Sequence, residues 1–186
     1  APVPVPPCVV TTNASCPGAQ LKGVDLSDSD YKGVDLSSSD LFQADLWRSD
    51  ITGANFSNSV MREADLRRTI AVNVNFQDAH LYGANLSRGN MTSSNLNGAD
   101  LQFTDLFQTN FTQAEMVNAK LNNSDAKWGN FIGTDLRGAH LTNTDFSWAS
   151  LTGANLSGAN LSGADLTRAN LTNTNLRETN ITGTTF

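Results

Sequence analysis

Residues Leu151 to Leu176 read LTGANLSGANLSGADLTRANLTNTNL, and this stretch repeats every five residues. A leucine stands at each fifth position, and Asp or Asn precedes five of these six leucines. Ala or Thr always stands two residues before the leucine. A fixed internal period is the signature of a repeat architecture, so this pattern decides the fold before any other feature of the sequence.

The same period runs without an insertion from Leu21 to Phe186, which makes 34 consecutive units. The central position holds Leu, Phe, Met, Ile or Tyr in 32 units, the exceptions being Ala71 and Ala126. The position two before it holds Ala, Ser, Thr, Val or Gly in all 34, and the position one before it holds Asp or Asn in 25. A period of five fits neither the 3.6-residue turn of an α-helix nor the strict alternation of a β-strand.

Each unit is predicted to be a short extended side followed by a corner. On extended backbone, positions two apart point the same way, so the small and large residues face inward together and Asp or Asn faces outward. The two remaining positions must turn the chain. Twelve of the 14 glycines fall two residues after a central position or in that phase, as do Asn58, Asn73, Asn123 and Asn143. Gly or Asn there is what a type II turn requires, because its third residue has positive φ.

The motif small–Asp/Asn–large–x–x resembles the repeat of the pentapeptide-repeat family, and the resemblance covers about nine-tenths of the chain. It implies that four sides close a coil of about 20 residues and that the coils wind as a right-handed parallel quadrilateral β-helix. For this chain the implied fold is an all-β solenoid of about eight coils, stacked at the strand spacing of about 4.8 Å. Each coil would contact only its neighbours.

Residues 1–20, APVPVPPCVVTTNASCPGAQ, differ from the rest of the chain. Four of the five prolines fall in the first seven residues, which favours irregular backbone. We predict that 1–20 form an N-terminal cap over the open edge of the first coil and that 21–186 form the solenoid. Cys8 and Cys16 are the only cysteines, and we predict a disulfide between them rather than two reduced thiols. The disulfide, together with a first residue that is Ala rather than Met, indicates an extracytoplasmic location: periplasm, thylakoid lumen or the exterior.

Stacking the chain in 20-residue coils places residues 20 apart in one column. Inside the solenoid, Phe56 is predicted to stack with Phe76, and Phe111 with Phe131, as part of the packed core. Ala71 stands where a large residue is usual, and we predict a local bulge or rotated side there.

One outer face combines acidic, basic and aromatic columns. An acidic column, interrupted only by Asn85, consists of Asp25, Asp45, Asp65, Asp105, Asp125, Asp145 and Asp165. The candidate interaction face beside it consists of Trp47, Arg48, Arg68, Arg88, Phe107, Lys127, Trp128, Trp148 and Arg168. Trp128 and Trp148 are one coil apart and are predicted to stack, and exposed aromatic patches of this kind mark interaction sites. The alternative is that the Asp residues hydrogen-bond local backbone while Arg and Trp only cover the corner.

The sequence gives little support for catalysis. His80 and His140 share a column but are three coils apart, roughly 14 Å, which is too far to act together. The chain has no glycine-rich phosphate loop and no metal-ligand motif, so we expect no catalytic, metal or cofactor site and no enzyme activity. No apolar run approaches the roughly 18 residues that a membrane span needs.

Three functions are compatible with these features. The first is a non-enzymatic scaffold that binds a protein partner outside the cytoplasm. The second is DNA mimicry directed at a topoisomerase, which the resemblance implies for some family members; the third is a carbohydrate-binding or carbohydrate-active β-helix. A net charge of −6 argues against a nucleic-acid partner. Some members of the resembled family dimerise through their last coil, which here would use Leu171, Leu176, Ile181 and Phe186.

Overall fold

The computed structural model describes residues 8–186. Within this range the chain contains no helix and no strand longer than one residue; turns and single parallel bridges alternate every five residues. Each bridge joins residues 20 apart, from Ser15 with Asp35 to Asp165 with Thr185. Four five-residue sides therefore make one coil, and each coil pairs in parallel with the next.

The sides are too short to form the strands that an all-β fold usually has. Two of the five residues form the turn, and only the residue before the central position bridges to the neighbouring coils. Backbone hydrogen bonds nevertheless run to both neighbours. Leu86 N–H donates to the Asp105 carbonyl of the next coil at 2.8 Å, and Asn85 N–H donates to the Ala64 carbonyl of the previous coil at 3.0 Å.

The interior is formed by the central and the small residues, as predicted. Every central residue from Leu36 to Leu161 is at most 1% exposed, whereas the Asp or Asn before it stays partly exposed. Buried Ser and Thr in the small column bond the backbone: Thr109 Oγ1 donates to the Leu86 carbonyl at 2.8 Å. No buried side-chain nitrogen or oxygen of residues 8–186 lacks a partner, which explains why this column accepts Ser and Thr as readily as Ala.

The corners confirm the predicted turns. Every fifth residue from Asn13 to Gly183 has a positive φ, between 48° and 71°. Most of these residues are not glycine, and the bulky ones include Phe103, Trp128 and Trp148. Positive φ disfavours such side chains by about 1 kcal/mol, so the turn itself gives no reason for an aromatic residue at these positions.

Both predicted phenylalanine stacks are present. The ring centres of Phe56 and Phe76 are 5.4 Å apart with an angle of 18° between the planes. Those of Phe111 and Phe131 are 5.1 Å apart at 23°. All four rings are fully buried, so the column is packed core and leaves no channel.

The bulge predicted at Ala71 is wrong. Ala71 is fully buried in the central column, and Ile70 before it bridges to both Asp50 and Asn90 in unbroken register. A shorter central side chain changes the packing inside the coil, but the register is set by backbone hydrogen bonds that do not depend on side-chain size.

The solenoid also begins earlier than the predicted boundary at residue 20. Ser15 already bridges to Asp35, turns stand at 12–13 and 17–18, and Cys16 is 3% exposed. Cys16 therefore occupies the central column of an additional unit, which the sequence concealed because cysteine is not a usual central residue. Residues 1–7 of the predicted cap lie outside the described residues.

Cys8 and Cys16 are joined as a disulfide with their Cα atoms 5.7 Å apart, in agreement with the predicted pairing. We expect intact mass spectrometry of the protein from its native source to show the loss of two hydrogens and no thiol open to alkylation. Reduction should restore two reactive thiols. Two alkylated cysteines without prior reduction would contradict the pairing and remove the support it gives to an oxidising compartment.

Candidate functional site: the arginine–tryptophan face

The predicted interaction residues share one corner of the solenoid. They form two adjacent columns, one running from Trp47 through Phe107 to Lys127 and the other from Arg48 through Trp128 to Arg168. We call this corner, with the acidic column beside it, the arginine–tryptophan face. The predicted residues fall into two clusters along this face, one around the stacked rings of Trp128 and Trp148 and one around a depression beside Ser87.

The first cluster, which we call the ledge, consists of Trp128, Trp148 and Arg168. The two indole rings stack with their centres 4.7 Å apart and an angle of 8° between the planes. Arg168 Cζ lies 4.4 Å from the centre of the Trp148 ring. Trp128 remains 50% exposed and Trp148 42%. The predicted stack is therefore present, and it presents ring edges and a cation to solvent.

Lys127 lies at the side of the ledge and is held by two members of the acidic column. Its Nζ is 3.0 Å from Asp145 Oδ2 and 3.4 Å from Asp125 Oδ2. The hydrogen bond to Asp145 raises the pKa of Lys127 above its usual value. Burial alone would raise the pKa of Asp145, but hydrogen bonds from Ser147 and Lys127 lower it below the usual value. Lys127 thus remains charged at neutral pH.

The second cluster surrounds a depression of about 500 Å³ beside Ser87, which we call the notch. Its lining comprises Trp47, Arg67, Arg68, Asn85, Ser87, Arg88, Asp105 and Phe107. Ser87 is the small member of a column otherwise occupied here by Trp47, Arg67 and Phe107, so the surface dips between the larger side chains. Arg67 and Ser87 are not among the residues predicted for this face, although their 20-residue spacing from Trp47 and Phe107 could have identified them.

The aromatic residues of the notch are each accompanied by an arginine. Arg48 Cζ lies 4.9 Å from the centre of the Trp47 ring, and Arg48 Nε is 3.4 Å from Asp28 Oδ1. At the other end, Arg88 Cζ lies 5.8 Å from the centre of the Phe107 ring. Cation–π contacts of this length stabilise exposed pairs by about 0.5–1 kcal/mol, so they orient the side chains without fixing them.

Every member of the acidic column caps its own turn. The Oδ1 atom of each Asp accepts the backbone N–H two residues on: Trp47 N donates to Asp45 at 2.9 Å and Phe107 N to Asp105 at 3.0 Å. Asn85 accepts from Ser87 N in the same way at 2.9 Å. A side-chain oxygen that satisfies a turn amide explains why Asp and Asn alternate in this position. The column therefore has a structural role in each coil, as the alternative interpretation held.

This role predicts different results for two substitutions of Asp105. Asp105→Asn should change the free energy of unfolding by less than about 0.5 kcal/mol, because the amide oxygen can accept the same hydrogen bond. Asp105→Ala should lower it by about 0.5–2 kcal/mol, since the Phe107 amide loses its cap. Urea denaturation measures both. An equal loss for the two variants would assign the role to the charge instead.

Comparison with known proteins agrees with the repeat. The profile of the pentapeptide repeats matches in eight copies, from residues 19–58 to residues 149–186. The chain belongs to the pentapeptide-repeat family. Members of this family fold as right-handed quadrilateral β-helices. A search of curated protein sequences gave no match.

Several solved pentapeptide-repeat structures are similar to this pentapeptide-repeat protein. HetL, involved in heterocyst differentiation regulation in the cyanobacterium Nostoc sp. strain PCC 7120, is 31% identical, with 94% of this chain and 84% of HetL covered and a TM-score of 0.47. A trypsin-treated form of QnrB1, a plasmid-mediated fluoroquinolone resistance protein, is 16% identical, with 88% and 84% covered and a TM-score of 0.81. The QnrB1 comparison shows a common fold. A protein from the Arabidopsis thaliana thylakoid lumen is 24% identical, with 63% and 71% covered and a TM-score of 0.44.

The other residues considered for chemistry in this pentapeptide-repeat protein do not converge. His80 and His140 are three coils apart in one column, with Asp100 and Lys120 in the two coils between them. Residues 8–186 contain no group of three or more His, Cys, Asp or Glu side chains placed to hold a metal ion. Over the same residues, no helix is long and apolar enough to cross a membrane.

The residues predicted to form a dimer contact lie together in the last described coil. Leu171 and Leu176 are half-buried, whereas Ile181 is 48% and Phe186 61% exposed. The amides of Leu171, Leu176 and Ile181 have no backbone acceptor among residues 8–186. This end of the described coil stack therefore presents both apolar side chains and backbone donors.

Proposed function

We propose that this chain is a non-enzymatic scaffold that binds a protein partner through the arginine–tryptophan face. The ledge carries the proposal. Trp128 and Trp148 stand at positive φ, where Gly and Asn are favoured, and each is about half exposed. Neither the turn nor the core needs them. Tryptophan and arginine are the residues that most often dominate protein interfaces, which supports a binding role.

We further propose that the protein acts in an extracytoplasmic compartment. The pairing of Cys8 with Cys16 supports this location, because reducing compartments keep such cysteines as thiols. The same disulfide links Cys8 covalently to the first coil. Ser15 and Gln20 of that coil bridge to the coil that follows.

The two alternative functions have less support. DNA mimicry needs a row of carboxylates available to a partner, but here each Asp caps its own turn and Asp65, Asp125 and Asp145 also pair with cations. A carbohydrate platform needs an open indole face. One face of each indole is covered by the other and Arg168 covers the second face of Trp148, so the stack offers a sugar no more than the outer face of Trp128. A gyrase supercoiling assay and a glycan-binding screen would detect these functions directly.

Association of two chains through the last described coil is a separate proposal. Unpaired edge amides together with the exposed Ile181 and Phe186 side chains favour edge-to-edge pairing. Analytical ultracentrifugation should then show a dimer that Phe186→Glu converts to a monomer. A wild-type monomer at high concentration would contradict this association without affecting the proposal for the arginine–tryptophan face.

Site-specific photocrosslinking tests the proposed face. A photoreactive amino acid at Thr167 lies on the corner beside the ledge, whereas the same amino acid at Ser157 lies on the opposite side of the same coil. In an extract of the native compartment, we expect one protein to crosslink from position 167 and not from position 157. Equal crosslinking from both positions, or none from position 167, would contradict the proposed face.

A further inference from the structure

The cations of the arginine–tryptophan face differ in whether a carboxylate pairs with them. Arg48, Arg67 and Lys127 each pair with a carboxylate, and Arg168 lies against the Trp148 ring. Arg67 Nε donates to both carboxylate oxygens of Asp65 at 2.8 Å, and Lys127 pairs with Asp125 and Asp145. Burial would raise the pKa of Asp65, but the hydrogen bonds from Arg67 lower it, so this pair stays ionised at neutral pH.

Two notch arginines have no such match. Arg68 makes no side-chain hydrogen bond or ion pair with any residue of 8–186. Arg88 has one hydrogen bond, from Nε to the neutral Gln108 Oε1 at 3.2 Å, and no ion pair in the described chain. Arg68 and Arg88 are one coil apart in the same column and both line the notch, so an anion bound in the notch lies beside both side chains.

Asn85 provides a further donor at the same place. It is the one position where the acidic column carries no charge. Its Oδ1 accepts from both the backbone N–H and the hydroxyl of Ser87, at 2.9 and 2.7 Å. Its Nδ2 amide, by contrast, finds no acceptor among the described residues. The asparagines Asn55 and Asn75 in another column donate this amide to the coil below, whereas in the column of Asn85 the residue below is Asp65, which accepts from Arg67.

We propose that the notch binds a side-chain carboxylate of an acidic, partly apolar segment of the partner protein. Arg68, Arg88 and the Asn85 amide supply the donors, and Arg–carboxylate hydrogen bonds are among the strongest in protein interfaces. Trp47 and Phe107 at the two ends provide apolar walls for the neighbouring side chains. This inference names the chemistry of the partner and so rests on the proposed scaffold function.

The surroundings favour one carboxylate over a polyanion. Asp65 and Asp105 lie in the acidic column one coil to either side of Asn85, and the whole chain has a net charge of −6. A phosphate backbone laid along the face would meet these carboxylates, whereas one Asp or Glu side chain needs only the gap at Asn85. The depression of about 500 Å³ has room for a few side chains and not for an extended nucleic-acid strand.

A change of one charge tests the notch without disturbing the fold. Asn85→Asp restores the acidic column, and the carboxylate can still cap the Ser87 amide as Asp45 and Asp105 do for theirs. Asn95→Asp is the matched control, because Asn95 caps Asn97 N at 3.0 Å in the same way on the opposite side of the solenoid. Ser87→Phe gives a steric test, since Phe107 shows that this column accepts phenylalanine.

The probe is a hexapeptide of alternating leucine and glutamate with an acetylated N-terminus and an amidated C-terminus. Its binding is monitored through the Nε–Hε NMR signals of Arg68 and Arg88. We expect the wild type to bind it, Asn85→Asp to weaken the binding about tenfold, and Ser87→Phe to abolish it. Asn95→Asp should bind as the wild type does. A second peptide with glutamine in place of each glutamate should not bind.

Three results with the peptides would overturn the inference: no binding of the glutamate peptide by the wild type, equal binding of the glutamine peptide, or equal effects of Asn85→Asp and Asn95→Asp. Displacement of the peptide by inorganic phosphate at equal concentration would also contradict the inference, because the notch would then be a general anion site and not a carboxylate site. The scaffold proposal is judged separately by the crosslink from position 167. If a partner crosslinks from position 167 but the glutamate peptide does not bind, the scaffold proposal stands and the proposal of a carboxylate site in the notch is wrong.

Discussion

Leu106→Ala is expected to lower the free energy of unfolding by about 2–5 kcal/mol, the largest effect of a single substitution that we predict. Leu106 is fully buried in the central column, with Leu86 and Ala126 in the coils on either side. A solenoid has no other core to compensate, because each coil packs only on its neighbours. Truncation therefore leaves a cavity that the hydrogen-bonded backbone of three coils prevents from closing.

Urea denaturation followed by circular dichroism measures this effect, and Ser57→Ala is the control. Ser57 stands at a corner, and its hydroxyl makes no hydrogen bond with any other residue of 8–186. Its replacement should change the free energy of unfolding by less than about 0.5 kcal/mol. Similar losses for the two variants would reverse the assignment of inside and outside on which the fold rests.

Replacing Trp128 and Trp148 together by Ala is expected to weaken binding of the partner by more than about 2 kcal/mol, or roughly 30-fold in Kd. The two rings form one apolar surface next to Arg168 and Lys127, which is the arrangement of an anchor with a polar rim. Stability should change little, because both side chains are half exposed and stand at backbone positions that do not favour them.

The matched control is a second exposed aromatic pair on a neighbouring corner. The ring centres of Tyr82 and Phe103 are 5.3 Å apart, and both residues are about as exposed as the tryptophans. Replacing this pair by Ala should leave the Kd unchanged in isothermal titration calorimetry. If the tryptophan variant loses stability but still binds, the ledge only braces the corner of the solenoid.

Sequence alone determined the repeat and the direction in which each column points. Both follow from local interactions that recur in every unit. Asp or Asn accepts the amide two residues on, the turn needs positive φ at its third residue, and the small and large residues of each side face inward together. Because these interactions span at most five residues, the structure of one unit could be predicted from its own sequence. The structure of the other units then followed from the five-residue period.

The tertiary structure alone decided where the local rules stop and how the columns interact. It placed Cys16 in the core of an additional unit and kept Ala71 in register, because hydrogen bonds to the adjacent coils hold the backbone whatever the central side chain is. It also divided the predicted face into ledge and notch. That division depends on which arginine reaches which carboxylate: Arg67 is engaged by Asp65, while Arg68 is not engaged by any described carboxylate. Such pairing depends on the side-chain conformations of residues in neighbouring coils. A 20-residue spacing predicts which residues are neighbours, but it does not predict which of their groups make contact.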